Sequence, residues 1–375
     1  MKTTKNKFLI ILFLLYSTFA FCQDQTYYLE GTLGKSKIFM KIQIFKYDDR
    51  TNVNTVYFYQ NSLKDIQLEG KLNSNNFTLY FKPNDVVTEK FYLKKSANNN
   101  FDGFWYDAKE KQLPVHLTPI NFANYKSNLK LQSQEDKLNF VKFKFLEFKK
   151  TKTTTYNNKE FVWYAEKHCD SEFFRLGGNF SEKNKNAVNP VLDEIHIQKT
   201  LIQLNCSSRF QYSEGKGIET TATINFLNNN LLGFETTDSW DCGGAHPDFG
   251  SSGFLVDLNN GKEYEIDDIL AFDKSVTGDK KDNFTAFSKY RNDFFAPKLL
   301  ELITSIEHFK KPATDDDCDY TNVEYWDFVS WSFTEKGITF TPYFPRYNRA
   351  CEEPFLVPFE KLTKYKNPKF LYNLK

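Results

Sequence analysis

From Tyr27 to Ile120 apolar residues alternate with polar ones in short runs, and a period of two is the signature of half-buried β-strands rather than helices. Ile38, Met40, Ile42 and Ile44 share one face, while Lys41 and Gln43 point the other way. Similar runs follow at Val56 to Tyr59, Ile66 to Leu72, Phe77 to Phe81, Phe91 to Leu93, Phe101 to Tyr106 and Val115 to Leu117. Polar turns such as Asp48-Asp49 and Asn98-Asn99-Asn100 separate them. Short strands recurring at about ten residues predict a small antiparallel β-barrel over residues 23–120. The polar stretch 121–138 carries no strand pattern and is expected to be a linker.

Residues 139–375 mix two periods. Phe140 to Phe148 and Phe161 to Tyr164 suggest a hairpin, and Val191, Ile195, Leu201 and Leu204 suggest a helix with Pro190 in its first turn. Strands are expected again at Thr221 to Phe226, Leu231 to Trp240 and Gly253 to Leu258, the last ending in the turn Asn259-Asn260-Gly261. Phe284, Phe287, Leu299, Leu300, Ile303 and Ile306 mark a second helical region that Pro297 kinks or splits. Tyr325 to Phe333, Ile338 to Tyr343 and Phe355 to Val357 are expected to close the domain as strands. The whole is α+β: a small barrel, then a domain with an antiparallel sheet and two helical regions. An aromatic content of 17%, with 39 Phe and 21 Tyr, suits such sheet-rich packing through cross-strand ring pairs.

The first 22 residues have the form of a secretory signal peptide. Lys2, Lys5 and Lys7 precede the apolar run Phe8 to Tyr16, and Ala20 and Cys22 can serve as the small residues before a cut at Gln23. The apolar run is far short of the roughly 20 residues that span a bilayer, and no later stretch approaches that length, so no transmembrane span is expected. A lipid anchor on Cys22 is disfavoured, because a lipobox wants a small residue where Phe21 stands. The expected location is the periplasm or cell surface. Losing three lysines leaves 46 basic residues against 48 acidic ones, a balance without the basic footprint of a nucleic-acid partner.

Five cysteines follow the leader: Cys169, Cys206, Cys242, Cys318 and Cys351. In an oxidising compartment they imply two disulfides and one odd thiol, with connectivity open. There is no Cys-x-x-Cys, and the five histidines are scattered, so neither a metal site nor a cofactor is expected. Asp315-Asp316-Asp317-Cys318-Asp319 departs from the EF-hand order, with Tyr320 and Trp326 where glycine and glutamate belong.

The segment Asp241-Cys242-Gly243-Gly244-Ala245-His246-Pro247-Asp248 is the strongest local motif. Adjacent glycines followed by proline describe a sharp corner. It opens an ordered series that continues through Asp257-Leu-Asn-Asn-Gly-Lys262, Ile266-Asp-Asp-Ile-Leu270, Gly337-Ile-Thr-Phe340, Pro342-Tyr343 and Val357-Pro-Phe-Glu-Lys-Leu362. In that order the blocks resemble the RsiV-type extracytoplasmic domain over roughly residues 160–365. This domain of unknown function occurs in a lysozyme-sensing anti-sigma factor and beside some polysaccharide deacetylase domains. The resemblance implies an exported domain that acts as a protein-binding surface. The receptor's membrane span and sigma-binding segment have no counterpart here, nor has a deacetylase metal motif.

Two uses of the corner follow from its residues. Cys242 and His246 could form a thiolate and base. The expectation preferred here is structural: Cys242 paired with Cys351, both near strand ends, and His246 bonding backbone beside Gly243, Gly244 and Pro247. Cys169 with Cys206 is then a second bridge, although Cys318 could pair with either of them. Trp240, Asp248, Tyr343, Arg346 and Tyr347 are the binding candidates, since aromatic and Arg clusters anchor interfaces and stack on sugars. The expected function is a noncatalytic binding module for a protein or glycan at the cell envelope, the alternative an envelope-polymer hydrolase.

Overall fold

A computed structural model describes residues 25–47, 50–82, 86–125, 136–169, 171–206, 217–242, 246–273, 283–306, 309 and 318–374. The expected signal peptide with Cys22, the glycines 243 and 244, and the acidic run 315–317 lie outside the described residues. The chain forms two compact units, one reaching Leu146 and including Leu204–Lys216 and Cys242–Ala245, the other made of the remainder. The fold is α+β, an antiparallel barrel followed by smaller antiparallel sheets and helices.

Eight strands build the first unit: β1 (Gln25–Leu33), β2 (Ser36–Tyr47), β3 (Arg50–Tyr59), β4 (Ile66–Asn73), β5 (Asn76–Phe81), β6 (Glu89–Lys95), β7 (Phe101–Asp107) and β8 (Gln112–Pro119). Each pairs with the next, and β1 pairs with β8 to close the barrel. Closure removes the unpaired edges that short strands would otherwise expose. At Gly31 the β1–β8 pair comes so close that a Cβ would lie 1.8 Å from the His116 carbonyl oxygen. The interior takes Ile38, Met40, Ile42 and Ile44, as the alternation requires, together with Tyr57, Phe77, Phe91 and Phe101. Their rings meet in pairs, Tyr57 with Phe91 and Phe77 with Phe101 both at 5.2 Å. Tyr57 and Trp105 both donate to one carboxylate oxygen of Glu89, at 2.7 and 2.9 Å.

Phe39 points outward from β2 yet is fully buried, because Phe58, Tyr125 and Phe145 cover it. The covering helix Lys137–Phe143 starts where the Asp136 carboxylate accepts the Leu138 N–H at 3.0 Å. Residues 140–143 therefore belong to a helix and not to the expected strand. Phe122–Tyr125 forms a 3-10 turn within the stretch expected as linker. Lys142 of the covering helix is fully buried, 2.7 Å from Asp65 and 2.6 Å from the Asn205 side-chain oxygen that it also engages. Burial pushes the Lys142 ammonium down and the Asp65 carboxyl up from their ordinary values, with the partner opposing the shift in each case.

In the second unit, β9 (Phe148–Tyr156) and β10 (Lys159–Glu166) form a hairpin, and β11 (Glu172–Leu176) completes a three-stranded sheet. Asn157 and Asn158 both sit at positive φ, as a two-residue hairpin turn demands. A second sheet holds β12 (Gly217–Leu227), β13 (Leu231–Asp241), β14 (Asp248–Asp257) and β15 (Glu263–Tyr264), and a third holds β16 (Ser330–Phe333), β17 (Gly337–Thr341) and β18 (Phe355–Pro358). A helix from Glu182 to Cys206 presses Val188, Leu192 and Ile195 against Phe173, Phe174 and Phe234 of the first two sheets. Pro190 lies inside it, not in its first turn. Ser181 caps the true start by accepting the Asn184 N–H at 3.1 Å, and the opening turns are too exposed to show an apolar stripe. The helices Phe284–Tyr290 and Ala296–Thr304 are joined by a π turn, Arg291–Phe295, just before Pro297, which lacks an N–H for regular bonding. Only Ser330–Phe333 of the expected strand 325–333 is extended. Before it, Val323–Trp326 is a 3-10 turn, fixed by Asn322 accepting the Glu324 N–H and by the buried Trp326 indole donating to the Tyr320 carbonyl at 3.0 Å.

The disulfides correct the expected pairing. Cys206 bonds Cys242, with Cα atoms 5.1 Å apart, and Cys318 bonds Cys351 at 5.3 Å. Neither Cys242–Cys351 nor Cys169–Cys206 forms. A disulfide needs Cα atoms within about 7 Å, and proximity to a strand end does not say which ends meet. Cys242 and Cys351 belong to different units. Cys169 keeps its thiol, 3.8 Å from the buried Glu166 carboxylate.

His196 is fully buried, with one ring nitrogen 2.9 Å from the Ser171 carbonyl and the other 3.3 Å from Arg175. Burial, opposed by the Ser171 contact, lowers its pKa to about 4. The unfolded chain takes up this proton near pH 6.5, so the stability is complete above that value and falls as the pH drops towards 4. The loss is expected to reach about 3 kcal/mol. Urea unfolding from pH 7 to pH 4 checks it, because His196→Gln should remove that part of the slope. A second prediction concerns the buried ion pair. Lys142→Met leaves the Asp65 carboxyl without its cation and is expected to cost about 3–5 kcal/mol, whereas Lys142→Met with Asp65→Leu should recover most of that loss. Urea midpoints of the two variants decide it.

Candidate ligand-binding site

The residues after β17 are pinned before they reach solvent. The Tyr343 N–H donates to the Tyr325 carbonyl at 2.9 Å, and the Phe344 N–H donates to the Glu352 carboxylate at the same distance. The Tyr320 hydroxyl donates to the Cys351 carbonyl at 2.8 Å, and its ring meets that of Phe344. With the Cys318–Cys351 bond, these contacts hold the 3-10 turn Arg346–Cys351 in a defined place. An irregular segment needs such partners, since it has no ladder to satisfy its backbone.

Arg349 joins this turn to the start of β14. Its guanidinium lies 3.3 Å from Asp248 and 3.2 Å from Glu352, and it also donates to the Phe249 carbonyl. The same group sits over the rings of Phe249 at 5.2 Å and Tyr343 at 4.9 Å. This planar fork, able to bond and stack at once, is a use that only arginine serves. Arg346 donates to the carbonyls of His246 and Pro247 at 2.9 and 3.2 Å. Burial raises the Glu352 carboxyl, and the Phe344 N–H and Arg349 oppose that rise.

The structure thus brings Asp248, Tyr343, Arg346 and the carbonyls of His246 and Pro247 to one face. Trp240 stands directly across from Asp248 in the β13–β14 ladder, half-buried. Tyr343 is 60% exposed and Tyr347, next to Arg346 on the turn, is 82% exposed. Trp326 and Trp331, by contrast, are core residues.

A cleft of about 620 Å³ opens beside Tyr343. Asn292 of the π turn, Glu324 and Tyr325 of the 3-10 turn, and Asp327, Phe328 and Tyr343 line it. Burial raises the Asp327 carboxyl despite the Phe328 N–H that it accepts at 2.7 Å. Arg349 lies just beyond the candidates Arg346 and Tyr347, whereas Phe249, Glu352 and the cleft were not expected from the sequence. The arginine three residues before Glu352 was the available signal. The cleft left none, because its walls come from separate elements.

Cys242 is held in a disulfide and offers no thiolate, which removes the cysteine–histidine pair as a nucleophile and base. Among the described residues no group of three or more His, Cys, Asp or Glu side chains is arranged to hold a metal ion. No helix among them is long and apolar enough to cross a membrane.

No protein-family model and no curated protein matches the chain. Among solved structures, a DUF3298 family protein from Pseudomonas aeruginosa PAO1 is similar over 60% of this chain and 95% of that chain, at 13% identity and a TM-score of 0.32. A likeness of that degree transfers no residue role.

The Arg349 contacts predict a specific cost. Arg349→Lys keeps a charge but loses the fork, and it should destabilise the protein by about 1–3 kcal/mol. A urea midpoint equal to that of the unsubstituted protein would show that the guanidinium does not anchor the turn.

Proposed function

We propose that the protein is an exported, noncatalytic binding module of the cell envelope, acting in the periplasm or at the cell surface. Its ligand is a protein such as a lysozyme-like hydrolase, or cell-wall glycan. The observation that carries this reading is the exposed pair Tyr343 and Tyr347 beside Arg346, on and just before a turn held by a disulfide and by Arg349. Aromatic side chains grouped with arginine on a well-held segment anchor interfaces when a partner covers them. Two disulfides suit an oxidising compartment. The RsiV-type resemblance over roughly residues 160–365 supports the same reading, as does the signal-peptide form of the first 22 residues.

A hydrolase of envelope polymers is the second reading. The specific observation favouring it is that Glu324 and Asp327 line one cleft, with the Asp327 carboxyl raised by burial. A carboxyl so raised can serve as a general acid.

Calorimetric titration with lysozyme and with soluble peptidoglycan fragments, followed by mass spectrometry of the products, separates the two. Saturable binding without cleavage is expected, and Tyr343→Ala with Tyr347→Ala should weaken it by about tenfold or more. Cleaved product, abolished by Asp327→Asn, would replace the binding module with the hydrolase.

A further inference from the structure

The cleft beside Tyr343 has a one-sided chemistry. Tyr325, Phe328 and Tyr343 supply aromatic rings, Glu324 and Asp327 supply carboxylates, and no lysine or arginine is among the lining residues. The cations behind it are already engaged. Arg349, over the Tyr343 ring, is balanced by Asp248 and Glu352. Arg291 donates to the Asp327 carbonyl at 3.2 Å and is ion-paired with Asp267 at 2.5 Å. No lysine or arginine thus accompanies these two acids among the walls of the cleft.

An anionic ligand would be repelled here, and a neutral one would leave two carboxylates to be desolvated without compensation. A cation satisfies both surfaces at once, because ring faces carry negative potential and carboxylates accept charge-assisted hydrogen bonds. We propose that the cleft is a binding site for an organic cation, an ammonium or guanidinium group. A basic side chain of a protein ligand or an amino sugar would each supply that group. The inference rests on reading this face as a binding surface and adds the charge class of what enters it. The raised Asp327 carboxyl agrees with it, since an arriving cation would draw that group back down.

The test is titration of the full, oxidised chain with four probes: Nα-acetyl-arginine amide, Nα-acetyl-lysine amide, glucosamine and, as the uncharged counterpart, N-acetylglucosamine. At least one cationic probe should bind saturably, and N-acetylglucosamine should bind about tenfold more weakly or worse. Glu324→Gln with Asp327→Asn, checked for an intact fold by near-ultraviolet circular dichroism, should weaken the cation by at least about tenfold, and Tyr343→Leu should weaken it too. Preference for the amino-acid amides points to a protein ligand, and preference for glucosamine to an amino sugar. N-acetylglucosamine binding as well as the cations, unaffected by loss of the carboxylates, would overturn the cation site and leave the binding face standing. So would failure of all four probes in a protein that still binds lysozyme or peptidoglycan. Failure of the probes and of both polymers would overturn the cation site and the binding module together.

Discussion

At Gly253, β14 and β16 approach so closely that a Cβ on β14 would lie 1.7 Å from the Trp331 carbonyl oxygen. Nothing but glycine fits such a contact without moving one of the two sheets. Polar bonds flank it, from the Ser330 hydroxyl to the Ser251 carbonyl at 2.9 Å and from the Asn225 amide to the Ser332 hydroxyl at 2.8 Å. The second unit rests on this seam. With the sheets locked there, the start of β14 and the turn after β17 are held together, and Arg349 can reach Asp248 and Phe249 across the gap. The candidate binding face is thus a consequence of how two small sheets pack.

Both units bury cations in the same manner, by surrounding each with acceptors already fixed by backbone structure. Lys142 meets Asp65 and Asn205 in the first unit. In the second, Arg175 meets Asp193 and the Phe174 carbonyl, and Arg291 meets Asp267 and the Asp327 carbonyl. Desolvation makes buried ion pairs weak sources of net stability, but a charge with a single acceptable position penalises every other packing. In cores that mix Phe with Leu and Ile, whose side chains can be accommodated in several ways, such groups discriminate between arrangements of similar hydrophobic energy. Arg291 also ties the π turn to the residues behind the cleft.

The barrel was legible because alternation is local. A strand with one face inside shows its period wherever it lies, so the runs at 38–44, 56–59, 66–72, 77–81, 91–93, 101–106 and 115–117 all fall within strands. Phe39 broke the pattern because part of its cover, Tyr125 and Phe145, comes from segments about a hundred residues further along the chain. The long helix was legible only where it packs. Its first turns, Glu182 to Ala187, are exposed or half-buried and leave no apolar stripe, so Pro190 reads in isolation as a helix start although the helix begins about two turns earlier, where Ser181 supplies the cap. Among the site residues, Tyr343, Arg346 and Tyr347 could be named from composition and spacing, while Phe249 and Asp327 carried no local sign of their surroundings.

The fold class, the expectation of two disulfides and the aromatic and arginine content of the candidate face were readable along the chain, since periodicity, cysteine number and residue type are local properties. The pairing of Cys206 with Cys242 and of Cys318 with Cys351, and the shared cleft of Glu324, Asp327 and Tyr343, emerge only from the folded chain. Pairing and enclosure depend on distances between segments remote in sequence, and those distances are set by core packing that no local pattern encodes.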